Sequence, residues 1–403
     1  MCVLAVSTVG FTVFFAVWVM FAIVGLPIRK ELGLTDGEFA LLAAIPILTG
    51  SLLRVPVGIM TDKVGGRTVF TALLLVTAVP TYFVSRADSY GALLVLGGFV
   101  GLAGTSFAVG IAWVSAWFPY QRQGFALGTF GAGNVGASVT KLLAPTLVTL
   151  LPAAGAAGGV FPGGWRFVPF VYSLLLVATA AAVFFVAPTP DHRPAVGRSV
   201  PELLSPLRYL RVWRFGLYYV VVFGAYVALS LWLPKYYVDV YGFDLRVAGL
   251  LTSLFIFPAS LLRPLGGWLS DRLGARAVTY TSFIVMCVAL AGLSFSMGAL
   301  PFTVLVVVVG VMMGIGKASV FKYIPQYFPR DVGAVGGLVG AVGGLGGFFL
   351  PLLFAWAQSF SGRPESTFLV LLVSALVCLV WLHVVVWRMR RTGAPAGAHP
   401  LTR

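Results

Sequence analysis

Twelve apolar stretches, each long enough to cross a lipid bilayer, recur along this chain of 403 residues, and no other sequence feature restricts its fold as strongly. A hydrocarbon core about 30 Å thick needs roughly 20 apolar helical residues per crossing. The stretches lie at about 3–28, 38–60, 68–86, 90–117, 122–150, 165–187, 212–240, 246–270, 276–297, 301–328, 332–360 and 366–389. The first begins at the second residue with no basic region before it, so it reads as a membrane span and not as a cleavable signal. Composition agrees: 59% of residues are hydrophobic and 10% charged, and the mean hydropathy is +0.99. Soluble domains hold about 45–50% apolar and about 25% charged residues.

The longest polar segment, about 188–211, divides the spans six and six. The expected organisation is a six-helix bundle over 1–190, a linker over 191–211, a second bundle over 212–390 and a basic tail over 391–403. The net charge of +15 would suit nucleic acid, but the basic residues sit in short loops between apolar runs, which is the pattern of membrane topology. Fifteen Lys and Arg fall on the side of the linker and tail and seven on the other, so both termini are expected in the cytoplasm. Cys2, Cys287 and Cys378 lie in or beside apolar runs without ligand spacing and read as small buried hydrophobes. The three histidines are scattered, so neither a metal nor a cofactor is expected.

The halves repeat. Residues 51–69, SLLRVPVGIMTDKVGGRTV, match residues 260–278, SLLRPLGGWLSDRLGARAV, at a constant offset of 209. That offset is too long for a solenoid and points to two parallel six-helix halves facing each other, with a binding site between them at mid-membrane. Each copy carries G-x-x-x-D-[KR]-x-G-x-R: Gly58, Asp62, Lys63, Gly65 and Arg67, then Gly267, Asp271, Arg272, Gly274 and Arg276. The glycines permit a tight turn and close helix approach. The Asp and basic residues are expected to pair across the membrane face and to separate when it opens.

Five cations remain inside spans: Arg54, Lys141, Arg263, Lys317 and Lys322. All twelve acids fall in loops, so the membrane interior is expected to hold cations without carboxylate partners. An ionised intramembrane side chain costs at least about 2.5–3.5 kcal/mol, and an anionic substrate is the simplest compensation. Arg54 precedes Asp62 by eight residues and Arg263 precedes Asp271 by eight. Eight helical residues span about 12 Å, which brings both guanidiniums near the midplane, one from each half. The planar fork of arginine suits a flat oxyanion and stays charged when dry.

Span 5 reads GTFGAGNVGASVTKLLAP (128–145), span 11 reads GAVGGLGGFFLP (340–351), and span 10 ends in VFKYIPQYFP (320–329). Together with the LLR positions these resemble the nitrate/nitrite porter family, and the repeated loop motif resembles that of the whole major facilitator superfamily. The resemblance covers nearly the entire chain. It implies an all-α integral membrane fold of twelve helices in two pseudo-symmetric bundles, and no enzyme activity. It implies nitrate and nitrite as substrates, held by Arg54 and Arg263, by the amide of Asn134, and by aromatic walls at Phe107, Tyr219 and Phe223. Rings on a planar ion exclude water and leave its edge to guanidinium donors. The glycines of spans 5 and 11, Gly131, Gly133, Gly136, Gly343, Gly344, Gly346 and Gly347, are expected to let helices approach and slide. Lys322 fits the family pattern, whereas Lys141 and Lys317 depart from it. Three roles are open to that pair: carrying a proton, adding charge that attracts anions, or snorkelling to an interface.

The expected function is alternating-access transport of nitrate with nitrite as counter-substrate, in the cytoplasmic (inner) membrane, by a carrier that need be no more than a monomer. Proton symport is the nearest rival. A membrane sensor would need an output domain, and no loop exceeds about 25 residues. No nucleophile–base constellation suggests an enzyme.

Overall fold

Backbone polar groups inside lipid find no water, so a spanning segment must satisfy them internally, and the apolar runs accordingly form helices. The computed structural model describes residues 1–152, 155–156 and 160–391. Most of the tail expected over 391–403 lies outside the described residues. Among the described residues, ten helices are long and apolar enough to cross a membrane by themselves: α1 Cys2–Leu32, α3 Gly66–Val84, α4 Tyr90–Trp117, α6 Gly164–Val186, α7 Leu210–Tyr241, α8 Arg246–Leu273, α9 Ala275–Leu293, α10 Ala299–Tyr327, α11 Val332–Ser361 and α12 Ser366–Arg391. An eleventh, α2, is broken into Gly37–Leu52 and Arg54–Val64 with a bend of 42°. The twelfth, α5 (123–150), is interrupted by a 3-10 turn at Ala132–Val135. Twelve crossings return both ends of the chain to one face, here termed the terminal face.

The 209-residue repeat is present in the backbone. Gly33 and Gly242 both end helices in the left-handed conformation, at φ 64° and 69°. Two residues later Thr35 and Asp244 cap the next helix through their side chains. Gly65 and Gly274 share another glycine-only conformation, at φ 102° and 84°, and the breaks at Leu53 and Leu262 correspond as well. Turn chemistry thus sets matching helix ends in both halves, while proximity in space joins the halves.

The segment 188–211 is docked. Asp191 accepts hydrogen bonds from the Arg67 backbone N–H (2.7 Å) and from the indoles of Trp113 (3.1 Å) and Trp117 (2.9 Å). Arg198 pairs with Asp331 of the second half at 2.8 Å. Cys287 and Cys378 are buried as expected; Cys2, in the first turn of α1, is exposed.

At the terminal face the halves close on each other along two glycine ladders. Gly124, Gly128 and Gly131 of α5 lie on α8, and Gly333, Gly337 and Gly340, each 209 positions later, lie on the second part of α2. A methyl group on Gly337 would meet the Arg54 carbonyl at 2.7 Å, so only glycine allows this approach.

Candidate functional site

Each side chain of the candidate site stands at or beside an irregularity in its helix. Arg54 follows the break at Leu53, and Arg263 the break at Leu262. Phe107 comes just after the 3-10 turn Gly101–Thr105, and Asn134 is within the turn of α5. Tyr219 and Phe223 flank or sit in a π-helical turn, Val220–Gly224, in α7. Non-regular backbone at membrane depth is tolerated where protein buries it, and it releases carbonyls for other donors. Arg54 uses one of these acceptors, Gly104 O, to which Nε donates at 3.0 Å; Nη1 donates to Gly340 O within the continuous helix α11 of the opposite half.

Both guanidiniums lie against the Phe107 ring. Arg54 Cζ is 5.6 Å and Arg263 Cζ 5.3 Å from its centre, so the carbons are no farther apart than those distances combined. Tyr219 and Phe223 lie nearly parallel to Phe107, at 6.0 and 6.3 Å between ring centres. Trp18 and Phe223 complete the aromatic surround of Arg54, at 5.2 and 5.7 Å. The structure therefore brings together Arg54, Arg263, Phe107, Tyr219 and Phe223. Asn134 is fully buried, three residues along α5 from Gly131, on which the Arg263 guanidinium rests.

Hydrogen-bond satisfaction divides the two arginines. Both are buried, but Arg263 Nε, Nη1 and Nη2 have no partner, nor do either amide atom of Asn134, the Tyr219 hydroxyl or the Ser51 hydroxyl. The Tyr219 hydroxyl approaches Arg263 without reaching hydrogen-bond geometry. Buried polar atoms in folded proteins are nearly always bonded, and a buried unpaired charge costs far more than a neutral group. The site thus presents convergent donors and an uncompensated cation behind aromatic walls.

Several expectations need correction. Lys322 is not without an acid: its Nζ lies 2.7 Å from Asp271 Oδ1, with both side chains less than a tenth exposed, and it also donates to Tyr120 O. It stands five residues beyond Lys317 toward the terminal face, at the depth where α8 ends. Its counterpart in the repeat is Trp113, so Asp62 gains no such cation. The Asp and basic residues of the motif do not pair with one another across the face. Asp271 instead accepts the N–H groups of Gly124 (2.9 Å) and Phe125 (2.8 Å) at the start of α5, and Asp62 accepts that of Gly333 (2.9 Å) at the start of α11. At Asp271 a carboxylate is favoured by the free amides, the helix dipole and the Lys322 ammonium. Gly58 and Gly267 let the backbones approach at these points. Arg67 stays in its own half, bonded from Nε to Phe184 O at 3.1 Å, and Arg276 reaches Met389 Sδ at 3.8 Å.

The seven glycines have two kinds of neighbour. Gly133 and Gly136 fit against α1, and Gly346 and Gly347 against α7. Gly131, Gly343 and Gly344 make room for Arg263, Tyr219 and the Ser51–Arg54 pair. Lys317 is fully buried, donating to Ala259 O at 3.0 Å with Nζ 3.2 Å above the Tyr226 ring centre. Lys141 donates across the seam to Ser230 O at 3.2 Å. Neither lysine snorkels. The sequence reading missed Ser51, Trp18 and Phe321, whose ring meets Phe107 edge-on at 4.9 Å. Ser51 was recoverable, since it begins the repeat, and so was Phe321, which stands in VFKYIPQYFP; Trp18 carries no local signal. Among the described residues no cluster of His, Cys, Asp or Glu could hold a metal.

Comparison with known proteins bears on this geometry. The model of the Major Facilitator Superfamily matches residues 6–249 and 241–402. A probable nitrate/nitrite antiporter, NarK1, of Thermus thermophilus is 56% identical over 96% of this chain and 92% of its own length. The nitrite extrusion protein of Bacillus subtilis is 32% identical over 96% of this chain and 95% of its own. Among solved structures, the transporter FucP in its outward conformation aligns with a TM-score of 0.72 at 16% identity, over 94% of this chain and 98% of its own. The human organic anion transporter MFSD10 aligns at 0.75 and 14%, over 94% and 99%, and both share the fold. The chain is therefore a transporter and not an enzyme, and it belongs to the nitrate/nitrite porter family of the major facilitator superfamily.

Proposed function

We propose that this carrier exchanges nitrate for nitrite across the cytoplasmic membrane, with the terminal face in the cytoplasm and residues 1–190 and 212–390 rocking about the central site as a monomer. The observation that carries the reading is the fully buried Arg263 guanidinium, whose three nitrogens have no partner. A planar monoanion set against Phe107 supplies the missing acceptors and the missing charge, with Arg54, Asn134, Tyr219 and Phe223 completing its surround. The names of the relatives support the choice of ion. Without cargo, Arg54 and Arg263 repel as the halves close; an anion bridging them favours closure only when loaded, which enforces exchange. Opening the cytoplasmic side then requires Asp62 and Asp271 to release the helix starts they hold. Proteoliposomes loaded with nitrite and supplied with labelled nitrate test the site: Arg54→Lys and Arg263→Lys both lose exchange, and normal uptake by either variant refutes the assignment.

Proton-coupled symport is favoured by one feature only, the Lys317 ammonium, which has a carbonyl and a ring but no carboxylate. Uptake into anion-free vesicles driven by a pH gradient decides for symport, and strict dependence on internal anion decides for exchange.

A further inference from the structure

One to two helical turns beyond the central site, away from the terminal face, a cavity of about 50 Å³ lies in the seam between the halves. Phe15 and Ile47 are among its apolar walls, Tyr226 and Ser230 line it from α7, and Lys141 is the one charged residue in its lining. Lys141 follows Asn134 by seven residues, about 10 Å along a helix. Its ammonium uses one N–H on Ser230 O, which leaves two donors free, and the bond spans the halves. A space of this size accepts about three or four waters, or one ion of comparable bulk. The Tyr226 ring separates it from Lys317, and the Tyr226 hydroxyl is tied to Ser260 Oγ at 2.9 Å.

We propose that this cavity is an outer anion subsite, in which a small monovalent oxyanion pauses against Lys141 before it passes Tyr226 to reach Arg263. The inference rests on the function proposed above for the identity of the ion and for which face is outside. The cation stands in a mostly apolar pocket, where its attraction for an anion is far less screened than in water. Because the ammonium also bonds the opposite half, an arriving anion competes with Ser230 O and loosens the outer seam as it enters. The same cavity repels cations and offers neutral solutes little polar contact, so selection by charge starts before the central site is reached.

The test uses the full chain in right-side-out and inside-out vesicles, reading the nitrate concentration that half-saturates exchange from each face. In Lys141→Gln the ratio of the outer to the inner value rises by about tenfold, the scale of one partly screened ion contact, and Lys141→Arg restores it to within about twofold. An unchanged ratio overturns the subsite. If the ratio is unchanged while Arg263→Lys abolishes exchange from both faces, the subsite falls and the central site stands. If the unaltered carrier exchanges no nitrate, both fall. Should Lys141→Gln not fold, labelling decides: with the central site disabled by Arg263→Lys, external nitrate slows acylation of Lys141 by an impermeant amine-reactive ester, and equal labelling with and without nitrate refutes the proposal.

Discussion

Substituting Asp271 by Asn should open the terminal face of this carrier far more than substituting Asp62, although the two occupy the same position in the repeat. Asp271 holds two amides of α5, at 2.9 and 2.8 Å, and the Lys322 ammonium at 2.7 Å, all within the seam. Asp62 accepts the Gly333 amide of α11, at 2.9 Å, with the Ala334 N–H and Arg198 nearby, and has Trp113 where the first half would need a lysine. A hydrogen bond to a charged group contributes about 1.5–3 kcal/mol, and a buried cation deprived of its acid costs about 3–5 kcal/mol. The asparagine oxygen still accepts one amide and Lys322 keeps Tyr120 O, so about 3 kcal/mol is a reasonable net loss at Asp271. That shifts the closed-to-open ratio by roughly 150-fold. At Asp62 about 1.5 kcal/mol is expected, roughly tenfold. Spin labels at Arg122→Cys and Arg272→Cys, exposed on opposite halves, report the separation by pulsed electron resonance. The long-distance population should dominate in Asp271→Asn and grow modestly in Asp62→Asn. Equal shifts, or none, would refute the claim that the seam is held by these carboxylates at helix starts.

Two further substitutions probe the centre. Arg263→Met removes an unpartnered buried charge, so the anion-free protein should melt at a higher temperature than the unaltered one, while losing the stabilisation that nitrate confers by mass action; a lower melting temperature without anion contradicts the picture. Gly131→Ala puts a methyl into the place of the Arg263 guanidinium and should weaken nitrate binding by at least about tenfold with little change in melting temperature, whereas Gly136→Ala, packed against the α1 backbone, should cost about 1–3 kcal/mol of stability. Calorimetry and nitrate titration of the purified variants separate the two outcomes.

The glycine ladders were present in the sequence at the same offset as the loop motif: 124, 128 and 131 recur as 333, 337 and 340. What pattern reading lacked was the partner, because a glycine reports that something approaches but not what does. Lys322 shows the converse. Its sequence position placed it inside a span, and assigning Asp271 to a loop separated a pair that the structure joins at 2.7 Å. The error came from treating helix ends as membrane edges, when the carboxylate is held inside the protein seam by two amides.

The number of crossings, their helical nature and the internal duplication are legible in the sequence, because hydropathy, length and repeat are one-dimensional properties and a bilayer admits few ways to satisfy a backbone. The depth of Arg54 and Arg263 is legible for the same reason, since residue count along a helix is distance. Whether a buried cation finds a mate depends on distances between residues far apart in the chain, such as the 286 positions separating Arg54 from Gly340. Arg54 is satisfied there, Lys322 is neutralised, and Arg263 is left with free donors. Only the packing of two halves that share a repeat but differ in individual side chains decides which positive charge is left without a partner.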